Sequence, residues 1–303
     1  MKETVRARRR QLRRFVGPID LTDRLERSKS MDRPIRGLAK AVRKRIRPGL
    51  LRDLLHGVPT GKPVHPPLAT VTLGCWMSAT LLDAAKADPR AVRLLLATGI
   101  ATSLPTAAAG MTDWSSLHIE QQRVGFIHML ANVTTLGLFS ASLLARIRGR
   151  EKAGRALSYA GLGMGALGGY LGGHLAYRLA AGANHAPQVT HLVPLGWHDL
   201  CLLTDLPDGR PVSRRLGYIE LFVLRRNDTV TVLVDRCPHL AGPLHQGRIV
   251  MDGDEPCVVC PWHGSTFRLA DGSVRHGPAT APAPMFESRI RRDGTVQVRP
   301  GLT

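Results

Sequence analysis

The sequence predicts a multidomain α + β protein: a four-helix transmembrane bundle followed by a small antiparallel β domain. Three observations carry this. Four apolar segments, at about 66–85, 91–110, 124–145 and 156–181, each approach the roughly twenty residues needed to cross bilayer hydrocarbon. From about residue 191 the pattern changes to short runs separated by frequent turns, as antiparallel strands require. The length of 303 residues suits about two domains. The expected organisation is a basic amphipathic arm at 1–63, the membrane domain at 64–182, a linker at 183–190 and the β domain at 191–303.

The arm holds much of the charge. Of the formal +19, residues 1–63 supply +13, with nineteen Lys and Arg against six Asp and Glu. Arg8-Arg9-Arg10 and Arg13-Arg14-Phe15 suggest a twin-arginine export signal. Asp20, Asp23, Arg24 and Glu26 follow where an apolar stretch is required, so a cytoplasmic arm is expected instead. From Ile35 to Leu55, apolar residues recur at near-helical spacing among basic ones, and Pro48-Gly49 splits the run into two helices. Such helices beside a membrane segment suit anionic lipid headgroups. Nucleic acid is not an expected partner, since no binding motif or interleaved aromatics accompany the charge.

The four apolar segments are rich in Ala, Gly, Ser and Thr, which suits helices packed against one another in a membrane. In the fourth, Gly161, Gly165, Gly169 and Gly173 recur every fourth residue and are expected to form one close-packing face. In an up-down-up-down bundle His65, Asp113, His128 and His174 fall at ends that share one leaflet. Ionisable residues at membrane depth are costly and are candidates for function. Haem ligation, a quinone or other redox site, and plain solvation at the headgroups all remain open for them. Orientation is pulled two ways. The third loop carries Arg146, Arg148, Arg150, Lys152 and Arg155, which by the positive-inside rule would put the termini outside. The long basic arm and the expected lack of an export signal favour termini and β domain on the cytoplasmic face of a bacterial inner membrane.

In the β region, Leu216–Arg225 and Thr229–Asp235 are expected strands joined at Asn227-Asp228. Val258-Val259 leads into a loop, and Thr295–Arg299 alternates near the end. Two motifs stand on the loops: Cys237-Pro238-His239-Leu240-Ala241-Gly242, then Cys260-Pro261-Trp262-His263-Gly264-Ser265. Each offers one thiolate and one imidazole. A structural zinc site usually groups a Cys pair and a His pair, whereas mixing them loop by loop suits two irons, one held by Cys and one by His. Pro238 and Pro261 stiffen the loops and remove backbone donors. Gly242 and Gly264 allow tight turns. Cys75, Cys201 and Cys257 are left over. This odd remainder argues against a disulfide framework and for a reducing compartment.

These motifs, with Gly272-Ser-Val-Arg-His-Gly277-Pro278-Ala-Thr and Asp293-Gly294, resemble the Rieske [2Fe–2S] ferredoxin-type domain. The resemblance implies that Cys237 and Cys260 hold an inner iron and His239 and His263 an outer one. It also implies that Ser265 is a hydroxyl donor to a cluster sulfur, with Phe267 in place of a second, tyrosine donor. Ala241-Gly242 and Trp262 stand where the respiratory type carries paired loop cysteines. The runs from Leu54 to Pro66, Gly110-Met-Thr-Asp113-Trp114 and Gly169 to Arg178 resemble a bacterial four-helix membrane domain of unknown function, often fused to Rieske domains. Lys62 replaces a second His expected there.

The resemblance implies an electron-transfer component working between donor and acceptor proteins, without a substrate-catalytic centre of its own. A redox sensor whose cluster state controls membrane or protein association is the alternative. An oxygenase is set aside, because the residues following the motif are too few for a mononuclear-iron domain.

Overall fold

The structure, a computed structural model, describes residues 18–186 and 192–301. The arginine run at 8–14 and the second half of the expected linker lie outside the described residues. Among the described residues seven α-helices precede the strands: α1 Pro18–Arg27, α2 Asp32–Arg45, α3 Leu50–His56, α4 His65–Ala84, α5 Pro89–Trp114, α6 Ile119–Ile147 and α7 Glu151–Gly173. An antiparallel β domain follows. Among the described residues, α5 and α6 are long and apolar enough to cross a membrane. The four long helices were expected as four spans. His65, Pro66, Pro67 and Asp83 shorten the apolar stretch of α4, and Glu151, Lys152 and Arg155 charge the start of α7.

The chain divides into two compact units. The first comprises 18–41, 76–96 and 117–181. Its helices α6 and α7 pack antiparallel, with Gly154 against Arg146, Gly161 against Phe139, Gly168 against Asn132 and Gly172 against His128. The packed glycines therefore advance by seven, seven and four residues, and Gly169 turns outward with nothing within 4 Å of its open side. This corrects the expected stripe. Four residues turn an α-helix through more than one full turn, so a strict fourfold spacing drifts off any one face. A Cβ on Gly161 would lie 3.0 Å from the Phe139 ring, which is itself stacked on Trp76 at 4.6 Å. Gly161→Val is expected to cost roughly 1–3 kcal/mol by overpacking, read as a lower thermal midpoint in detergent. An unchanged midpoint would dispute this packing.

Helices α1 and α2 turn their acids inward. Asp32 accepts Nε and Nη2 of Arg123 at 2.7 and 2.8 Å, Glu26 meets Nε2 of His174 at 2.7 Å, and Asp23 accepts from Arg178 at 2.6 Å. Ile35 and Ala39 of α2 are buried. The apolar stripe expected to lie on lipid is thus partly spent on protein packing, while Arg33, Arg36 and Lys40 remain exposed. At the far end, Arg146 is 1% exposed. It donates to both oxygens of Asp83, at 3.2 and 2.6 Å, and to Glu151 at 3.2 Å.

The second unit comprises 42–75, 97–116 and the residues from 182 onward. In α3, Leu50, Leu51 and Leu54 are exposed while Asp53 and His56 are buried, so the short helix is two-faced. The β strands are β1 His198–Leu202, β2 Val212–Leu216, β3 Ile219–Arg226, β4 Thr229–Val234, β5 Arg248–Asp252, β6 Glu255–Val259, β7 Thr266–Arg268, β8 Val274–His276, β9 Met285–Ile290 and β10 Thr295–Pro300. They form a six-stranded sheet ordered β1-β10-β9-β4-β3-β2 and a four-stranded sheet ordered β5-β6-β7-β8, antiparallel throughout. Alternation along β3 and β4 divides two cores. Leu221, Val223, Val230, Val232 and Val234 enter one with Phe286, Val296 and Val298. Phe222, Leu224 and Leu233 enter the other with Leu244, Val258, Phe267, Cys237 and Cys260. The β3–β4 turn uses Asn227 at φ 54°, a left-handed conformation that Asn tolerates.

Candidate metal centre

Two loops at one end of the four-stranded sheet carry the motif residues. The first joins β4 to β5 and the second joins β6 to β7. Each is closed by its own backbone. In the first, Cys237 N–H donates to Gly242 O (2.9 Å) and Ala241 N–H to Cys237 O (2.8 Å). In the second, Cys260 N–H donates to Ser265 O (2.8 Å) and Gly264 N–H to Cys260 O (3.1 Å). Ala241 sits at φ 62° and Gly264 at φ 79°, so both loops turn through left-handed residues. Asp235 braces the first loop by accepting His245 N–H at 2.7 Å and pairing with the His245 imidazole.

The loops bring the four expected ligand residues together as two pairs. Cys237 and Cys260 are 1% and 3% exposed, and their thiols lie within hydrogen-bond reach of each other. His239 and His263 stand at the half-buried rim with ring centroids 5.0 Å apart, edge to face. Among the described residues, no three His, Cys, Asp or Glu side chains converge as a site for a single ion. Two buried thiols beside two outer imidazoles instead form a donor set for two irons.

Electrostatics around the sulfurs fits ligands that bind as thiolates. The thiol–thiol hydrogen bond, then burial, pushes Cys237 up. Opposing this are the backbone N–H of His239 and the Ser265 hydroxyl. The same thiol contact, helped by the N–H groups of Trp262 and His263, draws Cys260 down to about 7 against the effect of burial. Backbone donors aimed at both sulfurs are what a negatively charged cluster needs. Gly242 is required by space as well: a Cβ there would meet Cys260 Sγ at 2.9 Å and the Trp262 indole at 3.1 Å. Pro238 and Leu240 are buried beneath the first loop, whereas Pro261, Trp262 and Gly264 are exposed at the tip. Cys257 is a buried residue of β6, paired with Val250 and Arg268 and pushed up by burial.

Sequence reasoning missed a third segment. Ser265, fully buried, accepts Ala279 N–H at 2.9 Å. Two residues earlier, Gly277 N–H donates to Asp53 Oδ1 at 2.9 Å, and His276 Nδ1 meets Asp53 Oδ2 at 2.8 Å. His276 Nε2 lies 3.3 Å from Asp252. Gly277 packs on His56, whose Nδ1 is 2.6 Å from Asp113 Oδ1. The available signal was the spacing Asp53-x-x-His56, which puts both on the helix face opposite Leu50, Leu51 and Leu54.

The four candidates for a membrane redox site each have a local partner. His65 Nδ1 is 3.0 Å from Thr106 O, and Asp113 holds His56. His174 holds Glu26. Both ring nitrogens of His128 are engaged, Nδ1 with Gly168 O at 2.8 Å and Nε2 with the Asn132 amide at 3.0 Å. The His128 imidazole, engaged at both nitrogens, offers iron no free lone pair in this arrangement.

Two family models match the chain. Residues 61–185 match the one described as "Predicted membrane protein (DUF2231)", and residues 196–287 match the Rieske [2Fe-2S] domain. Among curated proteins, apoptosis-inducing factor 3 of Mus musculus is 28% identical over 94 residues, 31% of this chain and 15% of its own length. The oxygenase component of 3-ketosteroid-9-alpha-monooxygenase from Rhodococcus rhodochrous is 39% identical over 69 residues, 22% of this chain and 16% of its own. The chain therefore spans only those small fractions of the curated relatives it matches. Among solved structures, the E. coli protein NirD is 27% identical with a TM-score of 0.33, covering 36% of this chain and 99% of that one. The ferredoxin of carbazole 1,9a-dioxygenase from Nocardioides aromaticivorans is 22% identical with a TM-score of 0.31, covering 35% and 98%.

Proposed function

Because this chain joins a DUF2231 membrane domain to a Rieske [2Fe–2S] domain, we propose that it is a membrane-anchored carrier of single electrons. The observation that carries the reading is the arrangement of two buried cysteines behind two half-buried histidines on facing loops. Cys237 and Cys260 would hold one iron of the cluster, and His239 and His263 the other. The bound cluster supplies a one-electron couple. Neutral imidazoles in place of two thiolates make such a centre less negative and raise its potential above that of an all-Cys centre.

The chain's own residues do the rest. Backbone N–H groups of His239, Trp262 and His263 and the Ser265 hydroxyl stabilise charge on the sulfurs. The buried second core keeps water from the inner side, while the histidines and the half-exposed Trp262 form the tip on which a partner docks. Donor and acceptor are proteins that reach this tip. No carboxylate–histidine group for substrate chemistry is assigned.

Residues 64–182 anchor the protein as four membrane helices, with 191–303 as the cluster domain. Exposed Arg43, Lys44, Arg45 and Arg47 next to exposed Leu50, Leu51 and Leu54 support contact of the arm with anionic lipid. The cluster domain lies on the cytoplasmic face. Protease added to inverted inner-membrane vesicles is expected to release a fragment carrying the β domain. Release only from right-side-out spheroplasts would reverse the orientation.

The central test is a reduced-minus-oxidised optical spectrum of the detergent-purified protein with iron and acid-labile sulfide analysis. Bleaching of iron–sulfur bands with two irons per chain is expected, and zinc as the sole metal would defeat the reading. A cluster that cycles with no electron partner, while membrane association follows its redox state, would make the protein a sensor instead.

A further inference from the structure

We infer that Asp53, on helix α3 and outside the Rieske match, is a positioning residue for the cluster. It holds the segment that aims the Ser265 hydroxyl at Cys237. The inference rests on the proposed cluster ligands and extends their surroundings by one buried chain of contacts. Asp53 is 8% exposed, and its two oxygens are committed to the same short segment, Oδ1 to Gly277 N–H and Oδ2 to His276 Nδ1. Gly277 is held from its other side, since a Cβ there would lie 3.0 Å from the His56 ring and 3.2 Å from Val58. Ala279, two residues on and 2% exposed, donates its N–H to Ser265 Oγ.

That donation has a directional consequence. A hydroxyl has one proton and accepts through its lone pairs. With Ala279 N–H satisfying the oxygen, the proton is left for another acceptor, and Cys237 is the buried thiol whose charge the Ser265 hydroxyl favours. A hydroxyl donating to a ligand sulfur stabilises the more negative, reduced cluster and raises its potential. Asp53 therefore acts on the cluster through Gly277, Ala279 and Ser265.

Sign separates positioning from simple charge. Removing a carboxylate near a centre that becomes more negative on reduction should raise the potential by Coulomb's law. Losing the Ser265 hydrogen bond should lower it. The experiment measures cluster midpoint potentials of the full-length, cluster-loaded protein in detergent. Ser265→Ala is expected to lower the midpoint, and Asp53→Ala to lower it in the same direction. The double variant is expected to sit no lower than Ser265→Ala alone, because both break one chain. Asp53→Asn keeps an acceptor for Gly277 N–H and is expected to show no downward shift.

A midpoint in Asp53→Ala that is unchanged or raised would overturn the inference, as would full additivity with Ser265→Ala. Should Asp53→Ala fail to fold, Gly277→Ala serves with Asp53 intact. Its Cβ displaces the segment from His56, and the same downward shift is expected, an unshifted midpoint overturning the proposal. Absence from the wild type of the EPR signal of a reduced [2Fe–2S] centre with nitrogen couplings would overturn the cluster reading itself. A wild-type signal with an unmoved Asp53→Ala midpoint overturns only the role of Asp53.

Discussion

Cys260→Ala is expected to yield a folded protein without its cluster, with iron and acid-labile sulfide falling to background. Cys260 is buried in the second core beside Phe267 and Val258, and its sulfur receives the thiol of Cys237 and two backbone N–H groups. Even outer partners of metal ligands cost about 10–100-fold in metal affinity when removed, so losing one of four ligands costs more. The fold is expected to survive, because the strand pairing of both sheets runs through other residues and the change removes a single sulfur from the core. His263→Ala, at the rim, should lose the cluster with less effect on the thermal midpoint. Cys257→Ala is the control: next to Val258 of the second core, it faces the other side of β6 and should retain full iron. Iron retained in Cys260→Ala, or lost in Cys257→Ala, would reassign the ligands.

The largest expected stability effect lies at the other end of the chain's helical part. Asp83→Ala would leave Arg146, 1% exposed, with Glu151 as its remaining carboxylate. Breaking a buried ion pair by removing one partner costs about 3–5 kcal/mol, because the stranded charge stays desolvated. At about 2–4 °C per kcal/mol for a protein of this size, the detergent-solubilised thermal midpoint should fall by on the order of 10 °C. Replacing both partners, Asp83→Leu with Arg146→Leu, should recover much of the loss, since a packed apolar pair of similar volume is often neutral or better. A double variant as unstable as Asp83→Ala would show that the pair itself, rather than its stranded remnant, sustains the fold.

The parts of this fold that were legible in sequence are those whose causes are local. Cys and His two or three residues apart on proline-stiffened loops mark a candidate metal site before any tertiary contact is known, and the fold brings them together as two pairs. Strands β3 and β4 were legible because Leu, Phe and Val alternate between two cores across one Asn turn. Strands such as β8, three residues long, carry too little pattern to be read. The glycine stripe was misassigned because a spacing of four looks helical yet drifts away from a period of 3.6. The His65, Asp113, His128 and His174 set was gathered from helix ends alone, and the structure supplies each with a partner that no periodicity encodes. Asp53 and His276 are 223 residues apart, a pairing that only the fold can reveal.

That pairing also bears on how firmly the cluster domain is held. The grip of α3 on the Gly277 segment consists of two hydrogen bonds from one carboxylate and an imidazole packed on a glycine. Between separate molecules so small a surface would scarcely associate. Within one chain the partners are tethered and cannot diffuse apart, so modest chemistry can hold a contact that separate molecules would not keep. A β domain cut free of the helices and supplied in trans would lose that advantage and drift away. Its cluster would then report the potential of a Rieske domain whose Gly277 segment is unsupported.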